Sequence, residues 1–94
     1  MVDKAFTRFE NSEDEFNLTK VESNGRASFI STGQGVRGSF YIKDFEDGTY
    51  GIKVHGRGFD FIRTSPVVKV VDETETSVVF QTMGGVYKLE KVVK

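Results

Sequence analysis

Three dipeptides constrain this chain more than anything else in it. Asn24-Gly25 lies between FNLTKVES and RASFIST, Asp47-Gly48 between SFYIKDF and TYGIKVHG, and Gly84-Gly85 between SVVFQT and VYKLEKV. Each pair tolerates the positive φ that a two-residue hairpin turn demands, and each is flanked on both sides by β-type residues. Together they commit most of the chain to antiparallel pairing of near neighbours. The period of the apolar residues agrees. Tyr50, Ile52 and Val54 alternate with Gly51, Lys53 and His55, and Phe40 and Ile42 alternate with Tyr41 and Lys43. Alternation of this kind is the mark of a half-buried strand. In VYKLEKV it is less clean, so that strand is expected to be covered on both faces. The expected strands are 16–22, 26–32, 36–44, 49–55, 59–64, 67–71, 77–82 and 86–92. Pro66, the only proline, is expected to end one strand and open the next.

Strands this short and this close together suggest a sheet that curls onto itself, which also removes exposed edges. The fold class expected is all-β: a small barrel-like or two-layer antiparallel sheet of about 7–8 short strands. The 94 residues suit a single domain over 1–94, without a linker or a second core. Nine Phe against two Leu (Leu18 and Leu89) make phenylalanine the main core material. The core expected from the alternation is Phe29, Phe40, Ile42, Ile52, Val54, Phe61, Val68, Val70, Val79, Phe80 and Leu89. Residues 1–15 are the least determined stretch. Phe6, Phe9 and Phe16 fit one helical face, interrupted by Glu13, so a short capping helix and an extra strand are both open.

Composition excludes several chemistries. Without cysteine there is no disulfide scaffold, thiol nucleophile or thiolate metal site. One histidine, His55, leaves no His-based metal cluster, and no cofactor is expected. No segment approaches the ~20 apolar residues of a membrane helix, and the start has no stretch apolar enough for a signal peptide. The expectation is a cytoplasmic protein that makes no contact with membrane, in which the glycosylation sequon Asn17-Leu18-Thr19 has no role. The net charge is −1, but residues 1–23 carry −3, residues 24–70 carry +3 and residues 71–94 carry −1. The acidic run Glu13-Asp14-Glu15 reads as a solvated turn, with docking of a basic partner as the sharper alternative.

Candidate catalytic features are weak. Gly33-Gln34-Gly35-Val36-Arg37-Gly38 matches G-x-G-x-x-G, but a strand follows it where a phosphate-binding loop needs a helix. His55 is the one general base with an ordinary pKa near neutrality. Asp60 could orient it, though a turn or surface histidine explains it as well. Acidic groups such as Asp44/Asp47 and Asp72/Glu73/Glu75 sit at turn positions. No catalytic residue is assigned.

Binding features are stronger. Between Arg26 and Arg63, Arg26, Arg37, Lys43, Lys53, Arg57 and Arg63 interleave with Phe29, Phe40, Tyr41, Phe45, Tyr50, Phe59 and Phe61. Small β-barrels bind single strands by stacking bases on aromatics in a basic groove, which requires rings exposed on the charged face. Alternation puts Phe40 and Phe59/Phe61 in the core instead, and the pI of about 5.8 is not basic. The glycine-rich segments 33–38 and 55–58 each present one arginine, and glycine lets a partner's backbone approach. The binding residues expected are therefore Arg37, Tyr41, Tyr50 and Arg57, arginine and tyrosine being enriched among residues that dominate interface energy.

The tail also carries a resemblance. Thr64-Ser65-Pro66-Val67, followed by a turn and Val86-Tyr87-Lys88-Leu89, resembles the closing hairpin of small β proteins from phages and other mobile elements. The match covers about the C-terminal third and implies a compact accessory protein that acts by binding. The functional expectation is a non-enzymatic protein working through protein–protein contact, such as a phage-type inhibitor or regulator. A single-stranded nucleic-acid-binding barrel and a structural subunit, with self-association, are the alternatives.

Overall fold

Every strand described here is antiparallel to its neighbours, in one sheet whose first strand lies between the second and the last. The computed structural model describes residues 2–10, 13–23, 33, 35–58 and 61–92. A short helix, α1 (Lys4–Thr7), precedes β1 (Phe16–Ser23), β2 (Gly35–Asp44), β3 (Tyr50–His55), β4 (Phe61–Arg63), β5 (Val67–Glu73), β6 (Ser77–Thr82) and β7 (Gly85–Lys91). The expected strand 26–32 and the Asn24-Gly25 turn lie outside the described residues. β1 takes β2 and β7 as its partners, with Leu18 opposite Val36 on one side and Leu89 on the other.

The sheet folds over at β2. Residues up to Gly38 pair with β1, and residues from Ser39 onward pair with β3. One strand thus serves two partners along its length, the way corners form in orthogonally packed sheets. Gly38 makes the bend possible, since a Cβ there would overlap the His55 carbonyl and crowd the Gly56 Cα. The sheet's two edge strands, β4 and β5, are successive in the chain and joined only by residues 64–66. That short link draws the edges together at one end, and the result is a curled sheet, not a closed barrel. Pro66 sits in this link as expected, and its carbonyl accepts a hydrogen bond from the Met83 amide.

Two of the expected hairpins differ in detail. At Asp47-Gly48 the loop holds three residues. The Gly48 amide donates to the Phe45 carbonyl, the Phe45 amide donates to Thr49, and Gly48 takes φ +86°. This is a type I turn closed by a glycine bulge. The Asp47 carboxylate caps it by accepting from the Thr49 hydroxyl and amide, which holds its pKa below the ordinary value. In the last hairpin the turn is Met83-Gly84, because Thr82 pairs with Gly85.

The core is aromatic, and much of it comes from the N-terminal segment. Asp3 caps α1 through the Ala5 amide, and the helix inserts Phe6 between Tyr50 of β3 and Phe80 of β6, edge-on to both at 5.8 and 5.0 Å. Phe9 reaches Phe16 and Phe40, which lie 5.4 Å apart. Leu18, Ile52, Val54, Ile62, Val78, Phe80, Tyr87 and Leu89 complete the buried set, with Phe40, Ile42, Val67 and Val70 packed against it.

Four expectations about facing are corrected. Phe61 points outward and is 54% exposed, because Ile62 pairs with Val54 on the inner face. Val68 is also exposed, since bulges in β5 at Val68 and Val71 push both outward. Val79 is half-buried on the outer side of β6 while its neighbours Val78 and Phe80 face in. β7 is buried on one face only, through Tyr87 and Leu89, with Val86, Lys88 and Glu90 half-buried on the other. Phe29 lies outside the described residues.

Candidate functional site

The two glycine-rich segments, separate in sequence, come together. Gly35–Ser39 of β2 and His55–Arg57 at the end of β3, with Glu15 from the segment before β1, line a groove of about 700 Å³. Its floor is close-packed backbone, because Gly38 lies directly against His55 and Gly56. Arg37 and Arg57 stand at this groove. Arg37 Nε donates to Glu15 Oε2 at 2.6 Å, while Arg57 is exposed in a loop that Gly58 turns with φ +66°. Among the described residues Arg57 has no ion pair.

The groove opens onto the outer face of β2–β4. Register fixes which side chains share that face. Tyr41 lies opposite Lys53, and Lys53 opposite Arg63; in the next row Ser39 lies opposite His55, and His55 opposite Phe61. Tyr41 and Phe61 are each 54% exposed. The His55 ring lies nearly parallel to Phe61, 10° apart with centroids at 6.3 Å, and Lys53 Nζ is 5.2 Å from the Phe61 centroid. The described outward residues of these strands before the β2–β3 turn, Arg37, Ser39, Tyr41 and Lys43 with Lys53, His55, Phe61 and Arg63, include no carboxylate. Asp44, Glu46 and Asp47 gather at the far, hairpin end.

Of the four expected binding residues, Arg37, Arg57 and Tyr41 share this surface and Tyr50 does not. Tyr50 is 9% exposed, packs on Phe6, and its hydroxyl accepts from the Asp3 amide. Burial pushes its phenol above the ordinary pKa. As the residue on the inner side of β3, it belongs to the core. The residue that sequence reasoning missed is Phe61. The signal was present in the Phe61-Ile62-Arg63 triplet, where placing Ile62 inward forces both flanking residues out.

Other candidates resolve differently. Asp60, the residue that would orient His55 as a base, lies outside the described residues. Of the acidic run, Asp14 pairs with Lys91 at 3.0 Å and Glu15 with Arg37, so two of its carboxylates tie the chain entering β1 to β7 and β2. Among the described residues no group of three or more acidic or histidine side chains is placed to hold a metal, and no helix is long and apolar enough to cross a membrane. Comparison with protein-family models, with curated proteins and with solved structures finds no match for this chain.

Proposed function

We propose that this protein acts by surface contact and not by catalysis, and that its contact surface is the outer face of β2–β4 with the groove at its end. One observation carries this reading: two glycine-rich segments and their arginines converge beside exposed Tyr41 and Phe61. Tyrosine and arginine exposed together on one face are the residue types enriched among interface anchors. The partner carries negative charge. A phage-type inhibitor or regulator, which the C-terminal resemblance suggests, would work through such a face, and so would a structural subunit.

The test is capture from a host lysate by immobilised wild type and by Tyr41→Ala and Arg57→Ala variants, with Lys69→Ala of β5 as control. A component held by wild type and Lys69→Ala should be lost by the other two, each substitution weakening binding by about 1–2 kcal/mol or more. Equal retention by all four proteins moves the interface elsewhere.

A further inference from the structure

We infer that the ligand of the β2–β4 face is single-stranded nucleic acid, with bases stacked on Tyr41 and on the Phe61–His55 pair and phosphates held by the cations between and beyond them. This rests on the reading of that face as the contact surface and identifies its partner.

The inference follows from how rings and charges alternate. A nucleotide joins a flat apolar ring to an anion in one repeating unit, so a complementary protein surface must alternate ring and cation at short spacing. Here Lys53 adjoins both exposed rings: its β2 neighbour across the ladder is Tyr41, and its ammonium reaches diagonally to within 5.2 Å of the Phe61 centroid. Arg63 continues the row on β4. Tyr41 and Phe61 stand two strands and one two-residue row apart, about 12 Å along the diagonal, room for one nucleotide to pass over Lys53. His55 stacks nearly parallel to Phe61 and fixes the orientation of that ring.

The strand must be single. Stacking needs the open face of a base, and in a duplex both faces are covered by neighbouring pairs. An acidic protein would satisfy the cations, but a nucleic acid is the polymer that repeats a flat ring and an anion in every unit. Charge also sets where the backbone runs. Carboxylates at the hairpin end, Asp44, Glu46 and Asp47, repel phosphate, whereas at the groove end the one lining carboxylate, Glu15, is taken up by Arg37, and Arg57 is free of ion pairs among the described residues. The chain therefore crosses from β2 to β4 and leaves through the groove.

The experiment is fluorescence anisotropy of a labelled oligothymidylate, and of oligouridylate, each about twelve residues long, titrated with the full chain from about 50 mM salt upward. Wild type should bind both the DNA and RNA probes or one of them, with affinity falling linearly in log salt as counterions are released. Tyr41→Ala and Phe61→Ala should each weaken binding by about 5- to 100-fold, the loss of one base–aromatic stack. Tyr41→Phe, which keeps the ring, should retain it, and Lys69→Ala should match wild type. Thermal midpoints confirm that each variant is folded. The inference is overturned if neither probe binds at the lowest salt, if both aromatic variants bind like wild type, or if a duplex of the same length binds as well as the single strand. Its failure is separable from failure of the contact-surface reading. With no oligonucleotide binding, a nuclease-resistant lysate component lost by Tyr41→Ala would leave the face in place and make its partner a protein.

Discussion

Phe61 and Ile62 are adjacent, similar in apolar character and opposite in consequence. Ile62 is 2% exposed and lies against Val54; Phe61 stands on the outer face beside His55 and Lys53. The two side chains therefore separate stability from binding at one place in the chain. Ile62→Ala removes buried methyl groups and should cost about 2–5 kcal/mol, a large share of the stability of a domain this size. Phe61→Ala gives up only a half-exposed ring and should stay within about 0.5 kcal/mol of wild type, as surface substitutions do. Urea unfolding of both variants checks this. A loss for Phe61→Ala as large as for Ile62→Ala would mean that β4 is turned over, and the outer face would lose the ring that most defines it.

At the scale of elements, the bend in β2 and the link between β4 and β5 are what turn a hairpin ladder into a curled sheet. Gly38 is the most exacting position, because the His55 carbonyl and then the Gly56 Cα occupy the space a Cβ would need. Gly38→Ala must push the β3 end away from β2, and overpacking of this kind costs about 1–3 kcal/mol. The measurement is the thermal midpoint together with oligonucleotide or partner binding. Both should fall in Gly38→Ala, whereas Gly33→Ala, where nothing lies within 4 Å but φ is +88°, should lower stability alone. These elements also show what the sequence could disclose. Alternation within β3, and the positions of the hairpins expected at Asp47-Gly48 and Gly84-Gly85, were legible because local turn chemistry and period-2 burial agree there, although the second turn falls one residue earlier. The inward role of Phe6 and Phe9 was only partly legible: their spacing fits one helical face, but so short a helix left an extra strand equally open, and only Tyr50, Phe80, Phe16 and Phe40 give those rings a place. The facing of β5 was lost for another reason. Two bulges in seven residues shift the register, so counting by twos from Val68 lands on the wrong side. Such bulges are a common protection for an edge strand. The site was half-legible: the arginines follow from the two glycine-rich segments and Tyr41 from its place opposite the inward residues of β2, but Phe61 depended on which residue of a β-rich triplet turns in.

At the scale of the whole molecule, the net charge of −1 conceals a division. Five cations, Arg37, Lys43, Lys53, Arg57 and Arg63, belong to the β2–β4 side, where Glu15 offsets Arg37, while the other carboxylates of the N-terminal 23 residues, a segment of net charge −3, lie outside the groove lining. The radius of gyration is 12.1 Å, and the Debye length is about 8 Å at physiological salt. Charges on opposite sides of such a molecule are therefore largely screened from one another, and a polyanion approaching the β2–β4 face meets the local potential and not the net charge. Two variants of equal net charge put this to the test. Lys53→Glu with Arg63→Glu reverses two cations on the face; Lys4→Glu with Lys69→Glu reverses two that line a second groove between α1 and β5. Each pair takes the protein from −1 to −5, a change of −2 per site. If net charge governed association, both would lose retention on an immobilised polyanion such as heparin to the same degree. With the face as the binding surface, the Lys53/Arg63 variant should elute in the void at low salt and the Lys4/Lys69 variant near the wild-type position. The steered part of the association rate should drop in the first variant only, as expected when local potential accelerates encounter. Co-elution of the two variants, with both folded, would remove the β2–β4 face from any electrostatic role.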